Sequence, residues 1–279
     1  MAFTIKLAEY SDMEQAVKVE VGTMGDYTYL QSAWHYYHTT PGKLVCALDG
    51  DYMLGIGRLS VLPDGSGWLE CLRVLPQYQG QGAGKQIYSE CLRLAEQYHC
   101  PSIAMYTSTQ NRRSSGLAER FGLTLKGSHR GYVLNDLKGE TFAKEPSAFV
   151  PANWQMACRL LLPLKEQYAD YFSLNRTFYH VNRPNIQHFA ARGFVFWEEK
   201  SGSVVVCGAR FCHEAGLHIA AMGGDYNRCI DFAINLARAL GVPKITCTIC
   251  SSNSQVQRAL RQRGFAAEKA ELITKELVF

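Results

Sequence analysis

The sequence predicts an α/β chain of two related domains in tandem, each a mixed, mostly antiparallel β-sheet flanked by helices. Three observations carry this reading. The chain has 279 residues, roughly two domains' worth at about 100–150 residues each. Apolar residues make up 47% and charged residues 19%, which supplies packed cores and excludes disordered or collagen-like architectures. A hairpin–strand–helix–strand–helix order can also be read twice along the chain, as an internal duplication would produce.

The elements follow in order. Residues 43–48 and 52–61 are β-rich runs on either side of Asp49-Gly50, a hairpin turn signal. Residues 194–199 and 204–210 flank Ser201-Gly202 in the same way. A third strand follows in each half, at 68–74 and 217–222. Ile87, Cys91, Leu94 and Tyr98 then line one helical face. So do Tyr226, Ile230, Ala233, Ala237 and Leu240, and Gly241 with Pro243 stops that helix. Fourth strands are expected at 102–108 and 244–250. After each comes an Asn, a short helix and a Gly: Asn111…Gly122 and Asn253…Gly264. The same spacing at Asn182…Gly193 is read as accidental, because its neighbours fit a strand ahead of a hairpin. The aperiodic segment 138–153 mixes charges, Gly, Ser and prolines and reads as a linker, setting the domains at 1–137 and 154–279.

Composition narrows the function. No apolar run approaches the ~18 residues of a membrane span. The first residues alternate around Lys6 and lack a signal-peptide core, so a cytoplasmic location is expected. In such a chain the ten cysteines read as small buried hydrophobes. Cys247 and Cys250 have a C-x-x-C spacing, yet no second pair or paired histidines accompany them, and no metal is expected. A net charge of +4 without a Lys/Arg run does not favour nucleic acid.

The informative stretch is WLECLRVLPQYQGQGAGK, residues 68–85. A strand ends at Val74, Pro76 blocks its continuation, and Gln79-Gly80-Gln81-Gly82-Ala83-Gly84 opens a helix. Glycines let a backbone approach a ligand closely, and the amide N–H groups with the helix dipole behind them suit an anion such as a diphosphate. Walker A fails, since Gly80 and Gly84 enclose three residues and Lys85 precedes Gln86. The dinucleotide fingerprint fails as well, because the glycines alternate as G-x-G-x-G beyond a proline loop.

The stretch resembles the GNAT acyltransferases, acetyl-CoA-dependent N-acetyltransferases whose signature is Arg/Gln-x-x-Gly-x-Gly/Ala. Gln79, Gly82 and Gly84 match it, Val74 and Pro76 match the Val-x-Pro before it, and Asn111, Gly122 and Leu123 match the later Asn…Gly-Phe element with Leu for Phe. The resemblance covers about residues 3–135. It implies that the backbones of Leu72, Arg73 and Val74 pair with the pantetheine arm of acetyl-CoA. It further implies that the amides of Gly80, Gln81, Gly82, Ala83, Gly84 and Lys85 hold the diphosphate, that Asn111 contacts the arm, and that Val74 N–H polarises the thioester carbonyl.

Acetyl transfer to an amine needs a base, and Glu70 stands four residues before Val74. Strand alternation would put Glu70, Leu72 and Val74 on one side, and polyamine-type members of the family carry a Glu at this offset. An ion pair of Glu70 with Arg58 or Arg73 is the competing reading. The family's usual acid, a Tyr seven residues after the Asn, is replaced by Ala118, leaving Ser114, Ser115, Tyr106 or solvent. Acceptor choice in such folds lies before the first central strand, where residues 27–38 read YTYLQSAWHYYH. Tyr29, Trp34, His35 and Tyr37 are the candidate substrate residues, an aromatic wall for a small cationic or amino-acid acceptor. Tyr29, Ala33, Tyr36 and Tyr37 equally fit a core-facing helix. The segment resembles the histidine N-acetyltransferase branch. In the second half the matching loop is Gly223-Gly224-Asp225, whose carboxylate would repel a diphosphate, so that copy is expected to be degenerate. The expected partner is a small-molecule amine, not nucleic acid or membrane, with homodimerisation open. Protein N-acetylation and non-catalytic acyl-CoA sensing are the alternatives.

Overall fold

A computed structural model describes residues 3–25, 28–137 and 148–279. Tyr27 and the larger part of the expected linker, 138–147, lie outside the described residues. In chain order the first elements are β1 (Thr4–Leu7), α1 (Met13–Met24), α2 (Leu30–Thr39), β2 (Gly42–Asp49), β3 (Tyr52–Val61), β4 (Gly67–Val74), α3 (Ala83–Gln97), β5 (Ser102–Ser108), α4 (Arg112–Arg120) and β6 (Thr124–Leu134). There follow β7 (Val150–Pro151), α5 (Trp154–Leu161), β8 (Tyr171–Leu174), β9 (Thr177–His180), α6 (Arg183–Ala191), β10 (Val195–Glu198) and β11 (Ser203–Gly208). The last are β12 (Leu217–Gly223), α7 (Tyr226–Ala239), β13 (Ile245–Cys250), α8 (Ser254–Gln262) and β14 (Ala266–Val278). No helix among the described residues is long and apolar enough to cross a membrane.

Two compact units result, and neither is one stretch of chain. The first comprises Met1–Met105, Gly116–Thr124 and Lys275–Phe279; the second comprises Tyr106–Ser115 and Leu125–Thr274. In the first unit β1, β2, β3 and β4 pair antiparallel in that order and β4 pairs β5 in parallel. Ile87, Tyr88, Cys91, Leu94 and Ala95 bury the inner face of α3 against Val45, Leu54, Leu59 and Ile103. Burying each Ile, Leu or Val side chain of this set contributes about 1.5–3 kcal/mol. The second unit repeats the scheme: β6–β13 antiparallel, β13–β12 parallel, then β12–β11, β11–β10 and β10–β7 antiparallel.

The Asn…Gly spacing has a local cause. Asn111, Asn182 and Asn253 each accept a backbone N–H three residues on, from Ser114, Asn185 and Val256 at 3.1, 3.1 and 3.2 Å, and so cap α4, α6 and α8. Gly122, Gly193 and Gly264 end these helices at φ +84°, +68° and +81° with the paired return bonds of a Schellman motif. The Asn182…Gly193 spacing is therefore a true helix, against the expectation that it was accidental. The β8–β9 hairpin, unforeseen from sequence, turns on Asn175-Arg176, both at positive φ as a two-residue hairpin turn requires.

Candidate functional site

The chain leaves β4 at Val74, makes a short turn over Pro76–Tyr78, and is pinned where Gln79 Nε2 donates to Val74 O at 2.9 Å. Gly80 and Gly82 then sit at φ +80° and +99°. A Cβ at either would meet nothing within 4 Å, so the demand for glycine is one of dihedral angle rather than space. The first backbone N–H of α3 to find an acceptor is that of Gln86, on Gly82 O at 3.0 Å. Those of Gly80, Gln81, Gly82, Ala83, Gly84 and Lys85 have none among the described residues. Six N–H groups at the positive end of a 15-residue helix form a seat for an anion. They fit the diphosphate of acetyl-CoA.

Beside this seat β4 keeps β3 but loses its other partner. Its parallel ladder to β5 runs from Gly67↔Ile103 to Leu69↔Met105 and stops there. On its other side the register passes from Arg58↔Glu70 to Ile56↔Arg73, a bulge in which Cys71 takes φ +61°. The bulge overturns the expected alternation. Leu72 and Val74 reach toward Ile87 of α3, within about the same space as Gly57 and Gly55. Glu70, Cys71 and Arg73 face α1 and α2 instead.

On that face the side chains interlock. Glu70, whose side chain is 10% exposed, accepts from Ser60 Oγ at 2.5 Å and from Tyr37 OH at 3.1 Å. Arg58 Nε lies 3.8 Å from Glu70 Oε1 while donating to Ser60 Oγ at 2.8 Å. Cys71 Sγ meets Tyr29 OH at 3.1 Å and Tyr37 OH at 3.4 Å. Burial and then Cys71 push the Tyr29 phenol well above its ordinary range. Arg73 pairs with the buried Glu20 at 3.0 Å and its guanidinium stands 5.0 Å from the centre of the Tyr29 ring. Burial alone would lower this guanidinium, but Cys71, Tyr29 and Glu20 outweigh it. Glu20 Oε2 also takes the N–H groups of Tyr29 and Leu30 at 3.1 and 2.8 Å, which fixes the start of α2.

The structure thus brings Glu70, Arg73, Tyr29 and Tyr37 together, and the residues 79–85 around one helix end. It puts Trp34 elsewhere: the indole is 1% exposed and donates to Tyr10 O at 2.9 Å. His35 is exposed, edge-on to Tyr10. Asn111 caps α4 and belongs to the second unit. Ala118 is fully buried in the first unit's core. Sequence reading did not assign Ser60, Cys71 and Glu20; only the bulge, invisible in the sequence, turns Cys71 and Arg73 this way. Cys247 and Cys250 are buried free thiols, and strand residues three apart point to opposite faces.

The second unit occupies its corresponding positions with its own atoms. Asp225 Oδ1 accepts the N–H groups of Asn227 and Arg228 at 3.0 and 3.2 Å, capping α7 where the first unit leaves amides open. Tyr168 OH donates to Met222 O at 2.9 Å and accepts from Met222 N at 2.7 Å, closing the end of β12.

Residues 8–123 match the model of the acetyltransferase (GNAT) family. The fold extends further. A GCN5-related N-acetyltransferase from Sphaerobacter thermophilus aligns with a TM-score of 0.69 at 11% identity, over 99% of this chain and 95% of its own. A tandem GNAT protein from the clavulanic acid biosynthesis pathway aligns with 0.65 at 11% identity, over 99% and 98%. A GCN5-related N-acetyltransferase from Kribbella flavida aligns with 0.53 at 14% identity, over 99% and 71%. Likeness at these identities speaks for fold alone. By sequence, no curated protein matches. The chain has the α/β fold of two tandem GNAT-like domains.

Proposed function

We propose that the first unit transfers acetyl from acetyl-CoA to the amine of a small molecule, an amino acid or a polyamine-like compound. The observation that carries this is the set of six open amides at the start of α3, directly after the β4 segment that holds Glu70. Acetyl-CoA supplies an acyl group activated as a thioester. The backbones of Leu72, Arg73 and Val74, on the β4 segment past its ladder to β5, offer hydrogen bonds to the amide-rich arm.

The residues of this chain do the rest. An amine of ordinary basicity arrives as ammonium at pH 7 and cannot attack until it loses a proton. Glu70 accepts that proton at a carboxylate oxygen. Ser60 holds Oε1 and Tyr37 holds Oε2, so the carboxylate is oriented before the acceptor arrives, which conserves ordering entropy. Partial burial keeps competing water from the carboxylate. The second unit, with Asp225 and Tyr168 on its own backbone amides, binds no cofactor in this reading.

The test is CoA thiol release from acetyl-CoA with a panel of free amines, amino acids and peptides. Turnover confined to free small amines supports the proposal. Turnover with peptides alone would transfer the assignment to a protein N-acetyltransferase, and cofactor binding without turnover to a sensor.

A further inference from the structure

We infer that the acceptor carries a carboxylate beside its amine, and that Arg73 receives this carboxylate while Glu70 faces the amine. The inference rests on the function proposed above and names its substrate class. Arg73 is 8% exposed. One nitrogen, Nη2, is spent on Glu20 at 3.0 Å. Nε and Nη1 are buried without a hydrogen-bond acceptor among the described residues. Buried guanidinium donors left open are costly, and folds keep few of them. These two belong to the same short strand as the base.

The bulge makes the pairing possible. On a regular strand residues 70 and 73 would point to opposite faces. With Cys71 at φ +61° and the register shifted, both face α1 and α2. Tyr37 OH links Glu70 to Cys71 Sγ, and Tyr29 OH links Cys71 toward Arg73, so the two heads stand at the ends of one polar chain.

Charge balance selects among amines. The cluster holds two carboxylates, Glu20 and Glu70, and two guanidiniums, Arg58 and Arg73. It is formally neutral. A zwitterionic amino acid adds no net charge and presents an anion to the open donors of Arg73. A diamine adds two positive charges and leaves those donors open, with a buried cation beside it. The amino acid is the better match.

Matched acceptors test this with the intact chain: histidine against histamine, tyrosine against tyramine, ornithine against putrescine, each read by CoA thiol release. For the pairs that are used, kcat/KM of the amino acid should exceed that of its amine by about 10–100-fold, mainly through KM, as expected for a charge-assisted hydrogen bond. Arg73→Gln should bring the ratio close to one, and Arg73→Lys should restore part of it. If Arg73 is only a structural partner of Glu20, Arg73→Gln lowers both members equally and the ratio survives, which overturns the inference. Should that variant not fold, the wild-type ratio still decides. Equal use of ornithine and putrescine overturns the inference and leaves the proposed function standing. Turnover of no member of any pair overturns both.

Discussion

Glu70 is held by three neighbours of different chemistry, Ser60, Tyr37 and Arg58. Glu70→Gln keeps shape and removes basicity. It should slow turnover by about 10²–10⁴-fold at pH 7, with much of the rate returning at high pH as free amine becomes available; near-normal kcat at pH 7 would refute the assignment. Tyr37→Phe removes the donor to Oε2 and one partner of Cys71. It should lower kcat by about tenfold, in line with one hydrogen bond to a charged group, while acetyl-CoA affinity by calorimetry is unchanged. Trp34→Ala belongs to another category, since its indole is buried and bonded to Tyr10. It should cost about 3–5 kcal/mol, visible as a large drop in Tm. Glu70 stood out in the sequence as a candidate base because a lone carboxylate stands beside a glycine loop. Arg58 was foreseen as an ion-pair partner of Glu70, whereas Ser60 and Cys71 were not, because the bulge at Cys71 breaks the alternation on which strand-face arguments depend.

Helix ends separate the two units. α3 begins behind glycines with open amides, whereas α7 begins behind Asp225, which fills its own. Gly82→Asp puts a side chain at φ +99° and a carboxylate among the open amides; it should abolish measurable acetyl-CoA binding. Asp225→Ala removes a two-bond cap and should lower stability by about 1 kcal/mol, seen as a lower Tm, with CoA release unchanged. The sequence disclosed both helices because their apolar periodicity and the glycine and aspartate before them are local signals. It also disclosed the short helices between Asn111 and Gly122 and between Asn253 and Gly264, although Asn111 was expected to contact the cofactor's arm and instead caps α4. It concealed the third, at Asn182, where a β-rich neighbourhood outweighed the same Asn…Gly spacing. The β8–β9 hairpin escaped because Asn-Arg is a weaker turn signal than Asn-Gly.

Across the molecule, acid sensitivity should concentrate in the second unit. His129 and His218 both lie there, and burial lowers each to about 4, with the cations of Lys244 and Arg176 adding to the effect on His218. The unfolded chain holds histidines near 6.5. As pH falls below that value the unfolded state takes up protons that the folded state refuses, so stability is full above about 6.5 and declines toward 4. Urea midpoints measured between these limits should fall, and His129→Gln should flatten the profile; an unchanged slope would place the acid sensitivity elsewhere. The tandem arrangement was legible because the two halves repeat one order of elements. The assignment of residues to units was not, since β14 is a single continuous strand in sequence, yet Thr274 binds His129 in the second unit and Lys275 binds Glu119 in the first.

That division has a consequence for synthesis. Residues 275–279 complete the first unit, while 125–274 intervene and belong to the second. A nascent chain can therefore emerge with every residue of the proposed acetyl-CoA seat and Glu70 translated, and still lack the segment that packs against residues 116–124. Pairings so distant in sequence form late. The first unit reaches its final form only after the second unit's residues have left the ribosome, so a chain truncated before 275 should carry an intact motif in an unfinished fold.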